Sequence, residues 1–327
     1  MPKKNNVKNG ASPEYFVGID LGGTNIAAAV VDEYGVIYGR AKRKTLSPRP
    51  YNEIFDDMAA CAKEAAENSG ISFDDIKAVG IGCPGSIDKE TGVIEFSNNL
   101  EFYDVPVVDY MEKALGKKIY VENDANAAAW GEFLAGSGKD CRSMVMVTLG
   151  TGVGSGIIID GKIFTGAYGQ GAEMGHMTIV KGGEKCTCGK RGCFEVYASA
   201  TALIRMTKDA MKKNPDSDMW KLCKGKLSNV SGITAFKAKD KVAKTVVKEY
   251  LGYLTEGIVN IVNIFEPNLI CIGGGISHEG RKILTPVEKG IKKYAYDRFG
   301  KKQTKVDLAT LGNDAGIIGA ALLWKNE

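Results

Sequence analysis

Apolar and polar positions alternate along this chain in blocks of two kinds. Short apolar runs end in glycine turns, and longer stretches repeat their apolar positions at helical spacing. Phe16 to Asp20 is an apolar run, Leu21-Gly-Gly-Thr-Asn25 a turn, and Ile26 to Val31 a second run; Asp32 to Gly35 turns again and Val36 to Gly39 continues. Met144 to Ile163 repeats that plan: Met144–Val147, then Thr148-Leu-Gly-Thr-Gly-Val-Gly154, Ile157–Ile159, the turn Asp160-Gly161, and Lys162-Ile163. The repetition predicts two related lobes, each opening on a strand, a glycine hairpin and a second strand. Two hairpins of this type facing each other could hold a polyphosphate.

The spacing predicts a helix over Tyr51 to Asn68, a strand over Ala78 to Gly82, a polar loop at Ser97-Asn98-Asn99-Leu100 and a strand over Lys117 to Val121. An alanine-rich helix follows and ends near Ala135, with Gly136 as its C-terminal stop. Val242, Val246, Tyr250, Leu251, Leu254, Ile258, Ile261 and Phe265 share one helical face, and Pro267 closes that helix. Leu269 to Ile272 reads as a buried strand, and Asp314 to Trp324 as a last helix. Residues 213–233 read as a loose insertion. Alternating strand and helix patterns make the class α/β.

Composition narrows the function classes. A chain of 327 residues suggests about two domains, and 44% hydrophobic with 25% charged residues is ordinary for a soluble globular protein. A net charge of +4, dispersed along the chain, gives no footprint for nucleic acid. Met1 to Phe16 is polar and has no apolar core of a secretory signal. The ~18 consecutive apolar residues of a membrane helix occur nowhere. Eight cysteines without regular pairing fit a reducing compartment, so the expected location is the cytoplasm.

Three of those cysteines, Cys186, Cys188 and Cys193, stand in a polar, glycine-rich loop with His176 shortly before them. Three thiolates and one imidazole are a closed tetrahedral set for structural zinc. The alternative is that they are reduced thiols packed as small apolar groups. Glu173 and Glu195 bracket the cluster. A metal tying these segments together would hold both carboxylates still, ready to accept hydrogen bonds from a polyhydroxylated ligand.

The glycine hairpins are candidate phosphate loops. Asp20-Leu-Gly22-Gly23-Thr24 and Gly150-Thr151-Gly152 offer backbone N–H groups and hydroxyls to anionic oxygens. No Gly-Lys-Ser/Thr follows either, so neither is a P-loop, and a strand rather than a helix follows the second, which excludes a dinucleotide fingerprint. Asp20 would reach magnesium through water. Asp124 stands where a strand ends and a helix begins, the ligand crevice of α/β sheets. It is a candidate base for phosphoryl transfer, held ionised by the helix N-terminus; the alternative is an N-cap aspartate. Asn98, Asn99, Asn123 and Asn126 could serve sugar hydroxyls. The turn at Gly273–Gly275 and Gly312-Asn313-Asp-Ala-Gly316 could pass close to an adenine or ribose, or be an ordinary strand exit and helix cap.

Together these residues resemble the sugar kinases of the ROK family (repressors, open reading frames, kinases), and its bacterial glucokinases most. The resemblance runs from Phe16 to Ala321. It is carried by Asp20-x-Gly-Gly-Thr24, Gly82-x-Pro-Gly85, Glu122-Asn-Asp-Ala-Asn-Ala127, Leu149-Gly-Thr-Gly-x-Gly154, Glu173-x-Gly-His176, Cys186-x-Cys-Gly-x-x-Gly-Cys-x-Glu195 and Gly273-Gly-Gly275. It implies a two-lobed, actin-like (ribonuclease H-like) ATPase fold with ATP, Mg2+ and a hexose in the cleft. Residues 1–121 with 314–327 would form the smaller lobe, and 122–313 the larger lobe with the zinc knuckle. Asp124 would be the catalytic base on the 6-hydroxyl of glucose, or of N-acetylmannosamine, fructose or mannose. Gly85, Asn99, Asn123, Asp124, Glu173, His176 and Glu195 would hold the sugar, with His176 also binding zinc through its other ring nitrogen. Asp20, Gly22, Gly23, Thr24, Gly150, Thr151, Gly152, Gly274, Gly275 and Asn313 would hold the nucleotide. Family members are commonly homodimers. Its sugar-sensing repressors carry an N-terminal DNA-reading segment, for which the polar stretch before Phe16 is expected to be too short. The family's usual tryptophan after the asparagine loop corresponds here to Phe102 or Tyr103.

Overall fold

The computed structural model describes residues 13–327; residues 1–12, and with them most of the polar stretch before Phe16, lie outside the described residues. In chain order the elements are β1 (Tyr15–Leu21), β2 (Asn25–Asp32), β3 (Ile37–Lys44), α1 (Tyr51–Ser69), β4 (Ile76–Cys83), β5 (Ser86–Asp88), β6 (Val93–Ser97), β7 (Phe102–Val105), α2 (Val107–Leu115), β8 (Lys118–Asn123) and α3 (Asp124–Ala135). Then come β9 (Met144–Leu149), β10 (Val153–Ile159), β11 (Lys162–Phe164), α4 (Glu195–Ala198), α5 (Ala200–Lys213), α6 (Asp218–Leu222), α7 (Thr234–Lys237), α8 (Lys241–Phe265), β12 (Leu269–Gly273), α9 (Arg281–Tyr294), β13 (Lys305–Leu308) and α10 (Ala315–Ala321).

The duplication legible in the sequence is a duplication of topology. One five-stranded sheet has the order β3-β2-β1-β4-β8 and another the order β11-β10-β9-β12-β13. In each, an antiparallel meander supplies three strands and two parallel strands complete the sheet. A smaller sheet, β5-β6-β7, extends the first half.

Three apolar clusters account for the core. One is built from residues of β1–β4, α1, α2 and the small sheet, Phe55, Met58 and Ile81 among them. A second gathers β9, β10 and β12 with α5, α8 and α9. The third joins the halves: Phe16, Ala29 and Ala78 from the first sheet, Met144, Met146 and Cys271 from the second, and α3 and α10 between them. The helices α3 and α10 meet more closely than ordinary side chains permit. A Cβ on Gly131 would overlap the carbonyl of Ala315, and one on Gly319 the carbonyl of Ala127. Trp130 donates to the Leu322 carbonyl at 2.9 Å. No helix among the described residues is long and apolar enough to cross a membrane.

Three expectations need correction. Residues 213–233 are not a loose insertion, because Met219, Cys223 and Val230 are buried in the second cluster. Gly136 does end α3, but not as a left-handed cap: its φ is −111°. The buried Glu132 carboxylate stops the helix by accepting from Ser137 N–H at 3.0 Å and Leu311 N–H at 2.6 Å. The aromatic after the asparagine loop divides in two. Phe102 is buried against Phe55, ring centroids 5.8 Å apart, and only Tyr103 is exposed, tilted against Phe96.

Candidate active site

The carboxyl ends of the parallel strands open onto a cleft of about 1140 Å³ lying between the two large sheets. Asp20 enters it from the end of β1, Asp124 from the first residue of α3, and Gly22, Gly23 and Thr24 from the first hairpin. Gly274 and Gly275 follow β12, and Asn313 precedes α10. Seven residues expected at the nucleotide site therefore line one hollow. Gly150, Thr151 and Gly152 do not line it; Thr148 and Gly154, which face each other across the second hairpin, do. The sequence reading missed Arg40, Lys42, Ser277, His278 and Leu308, which complete the wall. Arg40 reaches across the mouth and pairs with both oxygens of Asp314 at 2.6 and 2.8 Å. A separate hollow of about 850 Å³ between α8 and α9 contains none of the expected site residues.

Local hydrogen bonds fix each turn. In the first hairpin Gly22 N–H donates to Asn25 O at 2.9 Å, and buried Thr45 clamps it by donating its hydroxyl to Gly22 O at 2.6 Å. At the β8–α3 junction the helix cap is Asn123, not Asp124. The Asn123 side chain accepts from Ala125 N–H at 2.9 Å and Asn126 N–H at 3.3 Å, and its Nδ2 donates to Gly85 O at 3.2 Å. Gly85 sits at φ 117°, where a side chain would overlap the Phe96 carbonyl. Asp124 is thereby released from capping; it accepts from Ala125 N–H at 2.9 Å and is open to the cleft.

The electrostatics are those of a crowded carboxylate pair. Burial, with the Asp124 charge nearby, pushes Asp20 up to about 6. Asp124 is also raised above the usual carboxylate range: dense protein around its cleft position outweighs the stabilising hydrogen bond from Ala125. The helix N-terminus alone favours the ionised form, so desolvation is the larger effect here.

Of the expected sugar-side residues, Glu173, His176 and Glu195 gather around the second hairpin and the cysteine loop, while Gly85, Asn123 and Asp124 stand at the β8–α3 junction. Glu195 opens α4, and its Oε2 accepts from Val153 N–H at 3.1 Å, tying the cysteine loop to the hairpin. Any side chain on Gly152 would displace that carboxylate. Glu173 is exposed at the start of a single turn of 3-10 helix whose last residue is His176. Asn99 lies over the first hairpin, its Cβ 3.5 Å from where a Gly23 side chain would begin.

The ligand atoms of His176, Cys186, Cys188 and Cys193 all lie within 4.8 Å of one another. His176 Nδ1 is 3.6 Å from Cys186 Sγ, and Cys188 Sγ is 3.7 Å from Cys193 Sγ. A tetrahedral zinc with sulfur ligands at ~2.3 Å separates them by ~3.8 Å. A disulfide would bring them to ~2 Å. The cage fits zinc.

The ROK family pattern matches residues 16–327. The glucokinase of Streptomyces coelicolor is 36% identical over 93% of this chain and 96% of its own. That of Thermotoga maritima is 35% identical, over 95% and 98%. The crystal structure of a ROK family glucokinase from Streptomyces griseus, in complex with glucose and AMPPNP, superposes with a TM-score of 0.78 at 36% identity, over 94% of this chain and 98% of that one.

Proposed function

This chain belongs to the ROK family, and we propose that it transfers the terminal phosphoryl group of ATP to the 6-hydroxyl of glucose with Asp124 as general base. One observation carries the assignment of roles. Two carboxylates and the glycine turns of both halves converge on a single cleft, with Asp124 relieved of capping by Asn123. Phosphoryl transfer needs positioning and charge stabilisation more than covalent chemistry. Asp124 orients the acceptor hydroxyl and takes its proton as the new O–P bond forms. The β,γ-bridging bond breaks and ADP leaves with the electrons of that bond.

Asp20 suits a magnesium ion held through water. When bound, the ion neutralises charge that develops on the phosphates. The first hairpin at Gly22, Gly23 and Thr24, with Thr148 and Gly154 of the second, faces the phosphates, while Gly274, Gly275 and Asn313 border the nucleoside. The sugar rests on Gly85, Asn99, Asn123, Glu173, His176 and Glu195. His176 Nδ1 faces the cysteines, which leaves Nε2 for a sugar hydroxyl. Structural zinc at His176, Cys186, Cys188 and Cys193 would fix that set. The lobes divide at 121/122 and 313/314, in keeping with two core clusters that each stay within one half. A cytoplasmic homodimer without nucleic-acid partners completes the proposal; sedimentation and a gel shift test those parts.

Asp124→Asn is expected to keep the fold and sugar affinity and to lower kcat by ~10²-fold or more. Near-normal turnover would remove the base assignment. A coupled ADP assay across glucose, mannose, fructose and N-acetylmannosamine tests the sugar; a higher kcat/KM on another hexose would replace glucose.

A further inference from the structure

Behind the catalytic turn lies a buried charge that the cleft does not use. Glu122, the residue before the cap, is 2% exposed. Its Oε1 accepts from Asn123 N–H at 2.9 Å and from Asn126 Nδ2 at 3.0 Å, and its Oε2 pairs with the ammonium of Lys89. Lys89 comes from a different sheet, the turn between β5 and β6. The two residues that Glu122 grips stand on either side of Asp124. Asn126 is buried and its Oδ1 has no partner among the described residues, so among them Glu122 alone anchors its amide.

We propose that Lys89, acting through Glu122, is a positioning residue for the phosphoryl-transfer base; this rests on Asp124 being that base. Capping does not explain the pair, because Asn123 already satisfies the first N–H groups of α3. A carboxylate taken out of water is costly unless it is paired and fully hydrogen-bonded. Here the ammonium and two N–H donors compensate it at one spot. The result is a rigid anchor under Asn123 and Asn126 that sets where the intervening carboxylate points. Small displacements of a reacting group lower turnover without weakening ground-state binding.

Lys89→Met removes the ammonium and keeps the aliphatic stem. It is expected to lower kcat about tenfold with KM for glucose and ATP little changed, and to lower the melting temperature, because Glu122 is left buried without its cation. Lys89→Arg, which keeps the charge, is expected to restore most of the turnover. Asp124→Asn/Lys89→Met is expected to be no slower than Asp124→Asn alone, because both changes act on one group. Normal turnover in Lys89→Met beside a slow Asp124→Asn would overturn this inference alone. A tenfold further loss in the double variant would also overturn it, by placing the effect of Lys89 elsewhere. A drop in kcat matched by a parallel loss of affinity for glucose and ATP would reduce the pair to a structural brace. Normal turnover in Asp124→Asn would instead take down the base assignment itself.

Discussion

Asp20 has opposite effects on folding and on function. Its carboxyl titrates at about 6 in the folded chain, against an ordinary value of 3.8. Between those two pH values the folded state holds a proton that the unfolded state has released, so stability falls as pH rises through this window. Above about pH 6 the cost is fully present; below about pH 4 it vanishes. Asp20→Asn is therefore expected to stabilise the magnesium-free protein by up to about 3 kcal/mol at pH 7.5 and by almost nothing at pH 4. Thermal melts at the two pH values check this; a gain that does not shrink on acidification would contradict it. Affinity for magnesium and ATP should move the other way, weakening in the parent as pH falls through 6. Asp20 and Asp124 were legible in the sequence because each stands at a strand end beside a sharp change of pattern. The division of labour between Asn123 and Asp124 was not, since neighbouring capping residues differ only in backbone geometry. Nor was the Lys89–Glu122 pair, which joins residues far apart in the chain.

Among elements, the cysteine loop was the most readable. Ligand types and spacing suffice to suggest a metal, and the four side chains converge as a zinc cage requires. The sequence did not reveal that the loop is also latched to the second hairpin through Glu195 and Val153. Cys188→Ser is expected to lose zinc and to raise KM for glucose about tenfold, because Glu195 loses one of its two supports. Colorimetric zinc release and steady-state kinetics on the same preparation check this; a metal-free variant with unchanged KM would contradict it. The long helices α1, α3 and α8 were legible from their periodicity. The small β5-β6-β7 sheet was not, because its strands are three to five residues long and carry exposed positions such as Glu95 and Tyr103. Residues 213–233 misled for a related reason. Apolar residues spaced too widely for a single helix are collected by α6 and a turn, and the α8 core buries them.

For the molecule as a whole, the repeated strand–hairpin plan correctly foretold two sheets of one topology. It could not foretell what separates them. The α3–α10 pair fills that space, and its closeness depends on Gly131 and Gly319 lacking side chains. Asp124 opens α3, and the Gly312–Asp314 turn leads into α10. The separation of these two helices therefore sets the distance between Asp124 and that turn. Gly319→Ala would force the backbones apart, with an expected loss of about 2 kcal/mol of stability. A fall in kcat should accompany it even though position 319 touches neither substrate; denaturant titration and turnover measured together check this.

The face of the first sheet that looks toward the second has one further dependence. Gly18 and Gly80 admit the backbone of α10 directly against β1 and β4. β1 and β4 thus wait for α10, which is synthesised after the whole second sheet, before that face is covered. While the ribosome synthesises everything between, they offer an uncovered apolar surface to chaperones and proteases. The first sheet emerges before the second and yet is covered after it.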